Sequence, residues 1–370
     1  MLAQSAARAG LSPVVLDGYA DEDTQACSDR VVAIPAGPEG FDRQVLLDTA
    51  TRLAAPGTYP LIYGSGLDAS PELLEALAVG RELIGNSPAV HRRLRSPRQF
   101  FSLLDEQGMA YPESRFEPPL KTEGWLVKAG CGEGGKRVRF WDKGSVVAND
   151  EYFQRRLTGP ALSVLFLADG HLAQIIGFNT QWSVSDACRP YLFSGAINRT
   201  RLSSVQRQQV SEWVGKLVPI LALRGLNSLD FMMEGHCCKI LELNGRPSAT
   251  LGLYDADFPA GLLAEHIRAC RGSLTGATAA VGSIVRAMKV FFAPAERNAS
   301  FGVGLPRWCV DRPVDPSSVA AGQPLCTITA EGRSVREVQR LLAQREAWLN
   351  QTFFHFNLCP EKRPCNPMSA

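Results

Sequence analysis

The chain has 370 residues, is 45% hydrophobic and carries a formal net charge of +2. That length supports two or three domains with substantial cores. The near balance of charge argues against a nucleic-acid or membrane-surface protein, and no apolar run is long enough to span a bilayer.

The first ten residues, MLAQSAARAG, lack the basic opening and apolar stretch of a signal peptide and read as a helix that stops at Gly10. Short apolar runs at 13–17, 31–34, 59–63 and 82–86 alternate with helical patterns at 42–53 and 71–78, and the run Gly64-Ser65-Gly66 separates two of them. Strands and helices alternating at this length predict a parallel sheet with helices on its faces. A basic cluster, His91 to Arg98, follows; its plain reading is a solvated helix face. A helix at 100–106 ends at Gly108.

Residues 125–128 (WLVK) read as a strand and lead into AGCGEGGKRV. Gly130, Gly132 and Gly135 have the spacing of a dinucleotide-binding turn, and the loop comes close to a P-loop. Both of those need a helix to start directly after the glycines. Here VRFWD follows, which favours a strand, and a P-loop hydroxyl is replaced by Arg137. The third reading is a glycine-rich hairpin tip whose backbone N–H groups fold over phosphates, with Lys128 adding a point charge. A plain glycine turn is the fourth.

Segments 161–167 and 174–178 pair around the turn Asp169-Gly170. An amphipathic helix at 203–223 precedes the stretch SLDFMMEGHCCKILELNGRPSAT, residues 228–250. It alternates, turns over at Glu234-Gly235-His236 and alternates again, as a β-hairpin does. Glu242 and Asn244 lie two apart and share a face, and a hairpin can bring Asp230 close to them. Three oxygen-bearing side chains on one face suit a hard cation such as Mg²⁺, with Mn²⁺ as its substitute. Arg246 has the same parity and offers a forked charge to a phosphate or carboxylate. An edge hairpin with solvated acids would show the same alternation. Beyond it come a helix at 258–270, strands at 283–292 and 324–330 flanking Val310-Asp311-Arg312-Pro313, and a helix at 335–349. The expected units are 1–95, 96–280 with a hinge near 151–159, 281–350, and a tail at 351–370.

Of ten cysteines, Cys237 and Cys238 are adjacent, while Cys27, Cys131, Cys188, Cys270, Cys309 and Cys326 are scattered. No C-x-x-C occurs, so zinc-ribbon and thioredoxin readings fail on spacing. His355, Cys359 and Cys365 could ligate a metal, although a frayed tail is the simpler reading. Scattered unpaired thiols fit a reducing, cytoplasmic location. The Ser, Cys and His residues form no nucleophile triad.

Asp230-Phe231, then Leu241-Glu242-x-Asn244-x-Arg246-Pro247-Ser248-Ala249-Thr250, resembles the metal-binding core of the ATP-grasp superfamily, and the likeness runs from about residue 64 to 250 and beyond. It implies an α/β (α+β) ATP-grasp fold with an N-terminal parallel α/β pre-ATP-grasp domain and a small β-rich C-terminal cap. It implies that Asp230, Glu242 and Asn244 hold the Mg²⁺ on ATP and that Arg246 contacts the phosphate or an acyl phosphate. Lys128, Gly134 and Gly135 would hold the phosphates. Residues 152–159 would be the hinge that receives adenine, with Gln154 at the acid or amide position and Arg156 and Leu157 supplying backbone.

Segment 109–114 (MAYPES) resembles the entry to the next strand, and Gln181-Trp182 and residues 193–198 resemble an acceptor pocket. The chain departs from the pattern in three places: no Glu follows Gly159, Arg98 stands in for a phosphate-binding Lys expected near Pro97, and the opening strand is missing. That last point leaves a sheet one strand short or a start assigned too late.

Such ligases phosphorylate a carboxylate with ATP, release ADP, and let an amine attack the acyl phosphate. The partners implied are small carboxylates and amines, and a homodimer is the default assembly. WCVDRP (308–313) through PLCTITAEG (324–332) resembles a subset associated with one-carbon cofactor gene clusters, of tetrahydromethanopterin or methanofuran type, in methylotrophs. This points to an amino acid or cofactor precursor as substrate. Two other readings stay open. One is a biotin-carboxylase-like subunit that phosphorylates bicarbonate, for which Met288-Lys289 lacks the flanking Ala and Glu of a biotin acceptor. The other is a catalytically silent ATP-binding protein, favoured by the missing hinge Glu and Lys.

Overall fold

An eight-stranded antiparallel sheet carries most of the chain. Its order is Cys237–Asn244, Arg224–Glu234, Ala161–Asp169, Ala173–Val184, Leu192–Ile197, Val285–Phe292, Pro324–Gly332 and Cys309–Val310. The computed structural model describes residues 1–37, 40–130, 134–185, 189–276, 284–299, 305–314 and 317–354. Cys131, Gly132, Cys188, Val281, Ser283, His355, Cys359, Cys365 and the rest of the expected tail from 355 onward lie outside the described residues.

The strand Ala161–Asp169 is apolar nearly throughout because both its faces are covered. Leu162, Val164 and Phe166 pack with Phe231 and with Val210, Trp213, Val214 and Leu217 of the helix Ser204–Leu221. That helix opens on a reciprocal capping box between Ser203 and Gln206, which satisfies two of its otherwise orphan N–H groups. Leu165 and Leu167 face the other way, against Leu226, Tyr254, Phe258 and Leu262.

The C-terminal segment is β-rich: Val285–Phe292, Pro324–Gly332 and Cys309–Val310 continue the same sheet, with Ala196 opposite Met288, while Arg297–Ala299 pairs with Ser317–Val319 in a separate ribbon, and the helix Val335–Phe354 covers the outer strands through Val338, Leu342 and Leu349. Among the described residues no helix is long and apolar enough to cross a membrane. Cys27, Cys237, Cys238, Cys270, Cys309 and Cys326 are free thiols.

A second, four-stranded sheet is ordered Ser114–Arg115, Glu151–Arg155, Trp125–Ala129 and Val138–Phe140. Lys128 pairs with Val138, so the chain turns straight back into a strand after the glycines. The dinucleotide-turn and P-loop readings therefore fail, since no helix N-terminus follows to receive a phosphate.

The N-terminal region forms two separate parallel pairs, Val14–Asp17 with Arg30–Ala33 and Leu61–Ile62 with Leu83–Ile84. The expected pairing direction is present, yet among the described residues no strand lies between the pairs to join them. Their inner edges, residues 14–17 and 61–63, line a cavity of about 1060 Å³ that Met1 also borders. A two-residue-per-strand hairpin, Ala36–Gly37 with Gly40–Phe41, is too short to show any alternation in the sequence.

Buried polar groups fasten this region to the large sheet. Asn86 donates to Asn227 Oδ1 and to the Gly245 carbonyl, both at 2.8 Å, and accepts from Arg224 N at 2.8 Å. His266 Nδ1 accepts from Leu226 N (2.8 Å), which leaves Nε2 to donate to Ile84 O at 3.1 Å. The His91 ring meets the Tyr63 hydroxyl at 2.6 Å, and that hydroxyl donates to Asn86 O. Burial holds both His266 and His91 down to about 4.

A histidine whose folded pKa lies below its unfolded value contributes stability that is present at neutral pH and is lost as pH falls from about 6.5 toward 4. Denaturant unfolding at about pH 7.5 and about pH 5 should therefore show wild type losing more stability on acidification than His266→Gln does. Equal losses would mean that His266 is not held neutral by the fold.

Candidate active site

A single inserted residue sets the geometry of the hairpin. From the turn, Glu234 pairs with Cys237, Met233 with Cys238, Met232 with Lys239 and Phe231 with Ile240. The register then shifts, and Asp230 lies opposite Glu242 and Ser228 opposite Asn244. Leu241 is the extra residue of a β-bulge. Were Leu241 paired in continuous register, Glu242 would fall opposite Leu229, on the face where Phe231, Ile240 and Leu243 are buried. Bulges of this kind re-aim a side chain. Here the bulge places Glu242 and Asn244 on the Asp230 face, and the row continues across the sheet through Ser163 and Asn179.

Asn244 Nδ2 lies 3.3 Å from Asp230 Oδ2 and 3.4 Å from Glu242 Oε1, and Gln181 Nε2 donates to Asp230 Oδ1 at 3.3 Å. Burial, and then the facing Glu242, push the Asp230 carboxyl well above the usual carboxylate range. Asp230 facing Glu242 makes a carboxylate pair whose repulsion a divalent cation would relieve. With one amide, they match the oxygen chemistry of Mg²⁺ or Mn²⁺. Asn244 turns its Nδ2 toward the acids, so it would ligate a cation through Oδ1 only after the amide turns over. Among the described residues no group of three His, Cys, Asp or Glu gathers, which leaves Asn244 as the third ligand of any such site.

Lys128 comes from the second sheet. It donates from Nζ to Gln154 Oε1 at 3.1 Å, and Gln154 Nε2 donates to Ser114 Oγ at 3.1 Å. Burial opposes the charge on Lys128, but Tyr152, directly across the strand pair, together with Glu242 and Asp230, outweighs burial and raises its pKa. Gly134 and Gly135 both have positive φ, at 55° and 76°, and the Gly134 carbonyl accepts from Phe193 N at 2.9 Å. A Cβ on Gly135 would lie 1.8 Å from the Tyr191 carbonyl. The glycine tip thus rests on the lead-in to Leu192–Ile197, at the Lys128 end of the flap.

At the expected hinge, Gln154 is buried and turned to Lys128 and Ser114, and Leu157 is buried. The Arg156 amide donates to Gly124 O and its guanidinium to the Tyr191 hydroxyl at 2.8 Å. That amide is therefore already committed within the protein.

The basic cluster does not form a phosphate patch. Arg92 pairs with Glu72 and Glu75, Arg93 donates to Ile220 O, Arg95 pairs with Asp68, and Arg98 lies over the Phe116 ring at 3.9 Å. Of the acceptor-pocket segments, Gln181 reaches the acids, whereas Ala196 and Ile197 are sheet core. Sequence reasoning missed Tyr152 and Asp68. Tyr152 could have been found from strand parity opposite Lys128; nothing in the sequence marks Asp68, which reaches Arg246 across 178 positions.

Residues 97–250 match the model of the ATP-grasp domain family. The chain has an ATP-grasp fold. Solved structures extend the likeness to almost the whole chain: biotin carboxylase of Campylobacter jejuni in complex with β-γ-ATP has 12% identity and a TM-score of 0.72, over 95% of this chain and 94% of that one. N5-carboxyaminoimidazole ribonucleotide synthetase of Thermotoga maritima has 13% identity and a TM-score of 0.68, over 94% of each chain. Rhizobium etli pyruvate carboxylase has 17% identity and a TM-score of 0.71, over 93% of this chain; the match spans only 36% of that longer protein. At such identities the shared feature is the ATP-grasp fold. No curated protein matches this sequence.

Tyr254 supports the polar row within this ATP-grasp sheet. Its hydroxyl donates to Asn179 Oδ1 at 2.7 Å, and its ring lies so close over Gly177 that a Cβ there would come within 2.3 Å. Gly177→Ala should therefore destabilise the fold by about 1–3 kcal/mol through overpacking. Chemical denaturation checks this; a loss below about 0.5 kcal/mol, the scale of an uninvolved surface site, would be incompatible with that packing.

Proposed function

We propose that the protein is an ATP-dependent, ADP-forming ligase that joins a carboxylate to an amine through an acyl phosphate. The observation that carries this reading is the bulge-set pairing of Asp230 with Glu242, with Asn244 and Arg246 beside them and Lys128 facing them from the glycine hairpin.

A substrate carboxylate oxygen would attack the γ-phosphorus, and the bond to the bridging oxygen would break to release ADP. The amine would then attack the acyl carbon, and phosphate would leave. Both anionic partners must approach each other, so the main catalytic demand is charge neutralisation. Mg²⁺, when bound, would draw off charge from the phosphate oxygens. Asp230, Glu242 and Asn244 would hold it; Lys128 and the Gly134 and Gly135 backbone would hold the phosphates. Arg246 would steady the acyl phosphate. No covalent nucleophile of the protein is needed.

Within this reading the substrate is an amino acid or cofactor precursor of one-carbon metabolism, which rests on the sequence resemblance at 308–313 and 324–332 alone. A second reading, phosphorylation of bicarbonate, is favoured by the biotin carboxylase fold match.

ADP release should be measured across carboxylate and amine pairs, with glutamate and pterin- or furan-linked acceptors tried first, and in a separate arm with bicarbonate. Glu242→Ala should fold normally and lose at least about 100-fold in turnover, as expected when charge-stabilising contacts of the transition state are removed. Wild-type turnover rates in Glu242→Ala would sink the proposal. ADP release that requires only bicarbonate would transfer it to the second reading.

A further inference from the structure

Arg246 is oriented from outside the sheet that carries it. Its Nε donates to Asp68 Oδ2 at 3.0 Å, Nη1 reaches Pro247 O at 3.4 Å, and Nη2 reaches Asn244 Oδ1 at 3.4 Å. Asp68 and Arg246 are 5% and 8% exposed. Arg95, the last residue of the helix Pro88–Arg95, brings Nη2 to the same Asp68 oxygen at 3.3 Å. One carboxylate from the N-terminal region therefore braces two arginines, one on a linking helix and one in the proposed site.

We propose that Asp68 is a positioning residue for Arg246 and that the N-terminal region thereby aims the arginine at the reacting phosphate. The proposal rests on the ligase reading for what Arg246 does and on geometry for how it is held.

A guanidinium is a rigid planar fork on a flexible stem, so its direction is set by what grips its edges. Asp68 grips the Nε edge and Asn244 the Nη2 end, which together fix the plane. A buried pair of this kind is weak evidence for stability, because desolvation offsets the attraction. Two arginines on one carboxylate also leave a net positive charge, beside Asp230 and Glu242. If Asp68 were absent, Arg246 could swing toward those acids and compete with a cation for them.

The turn before Asp68 supports this role. Gly66 has φ +97°, and a Cβ there would meet the Phe41 ring at 2.9 Å, so the Gly64-Ser65-Gly66 run has a local reason to contain glycine. Leu67 is buried in the N-terminal core and Ser70 N closes the turn onto Leu67 O at 3.0 Å, which leaves Asp68 directed inward.

The test pairs kinetics with a readout that needs no turnover. Asp68→Ala and Asp68→Asn are compared with wild type for ADP release, and the Arg246 Nε–H resonance, assigned by its loss in Arg246→Lys, is followed by solvent exchange. Asp68→Ala should lower kcat by about 10- to 100-fold, the cost of a group displaced by an ångström or so. The KM for ATP should stay within about 3-fold, since nucleotide binding is not what Asp68 serves. Asp68→Asn keeps an oxygen acceptor for Nε and should recover part of kcat; it also serves if the alanine variant does not fold. The Nε–H signal should exchange faster in both variants.

Unchanged kcat in a folded variant, a loss confined to KM, or unchanged protection of Nε–H would each overturn the proposal. If wild type releases no ADP with any acceptor, the ligase reading fails, and the exchange measurement alone then decides whether Asp68 holds Arg246.

Discussion

The β-bulge at Leu241 is the constraint on which the candidate site depends. Strand side chains alternate strictly, and Cys238 and Ile240 are buried on the core face. Continued alternation would put Glu242 and Asn244 there as well, sealed among Leu162, Phe231 and Val210. One extra residue reverses the parity at the point where chemistry is needed. The same strand thus serves the core up to Ile240 and the acid row from Glu242 onward, with Leu243 returning to the core. The hairpin can be both a buried edge of the sheet and the wall of a polar cleft because the bulge separates these two tasks in sequence.

Once Asp230 faces Glu242, the surroundings follow from electrostatics. A half-buried carboxyl, Asp230, faces the exposed Glu242 and responds to burial and that charge with a raised pKa. Around them stand an amide donor from Gln181, another from Asn244, and the charge of Lys128 from the second sheet. Lys128 is kept charged against burial by Tyr152 across the strand pair and by the same acids. The two sheets are therefore coupled through opposite charges across a gap in which polyphosphate and a hard cation would complete the balance. A glycine tip rests on Tyr191 and Phe193 through its backbone alone, where any Cβ on Gly135 would collide.

Much of this was legible in the residues. The hairpin, the shared face of Glu242 and Asn244, and the strand that follows the glycine loop were each visible as periodicity, because half-buried strands write their environment into alternate positions. The bulge was not, since an extra residue looks the same as ordinary sequence until register is known. The basic cluster at 91–98, whose plain reading is a solvated helix face, is ambiguous in sequence for a related reason. Arginines that pair with Glu72, Glu75 and Asp68 look identical in sequence to arginines awaiting phosphate, and the difference lies in partners outside their own helix. Likewise, the alternating strands and helices of the first 95 residues predicted parallel pairing correctly, while continuity between the pairs is a property of space that periodicity does not encode.

The N-terminal region makes physical sense as a clamp on the site. It has a small core of its own around Leu46, Leu67 and Leu74, beside a cavity of about 1060 Å³ that it shares with the large sheet and the C-terminal segment. Asn86 buries its amide against Asn227, Arg224 and Gly245 of the large sheet, and Asp68 places a buried charge on Arg246. Apolar replacements at these positions would avoid the cost of desolvating so many polar atoms. A region selected only to fold would be expected to bury leucines at such a joint. Polar groups in fixed directions are what a joint needs when the orientation of one arginine matters more than the stability of the contact.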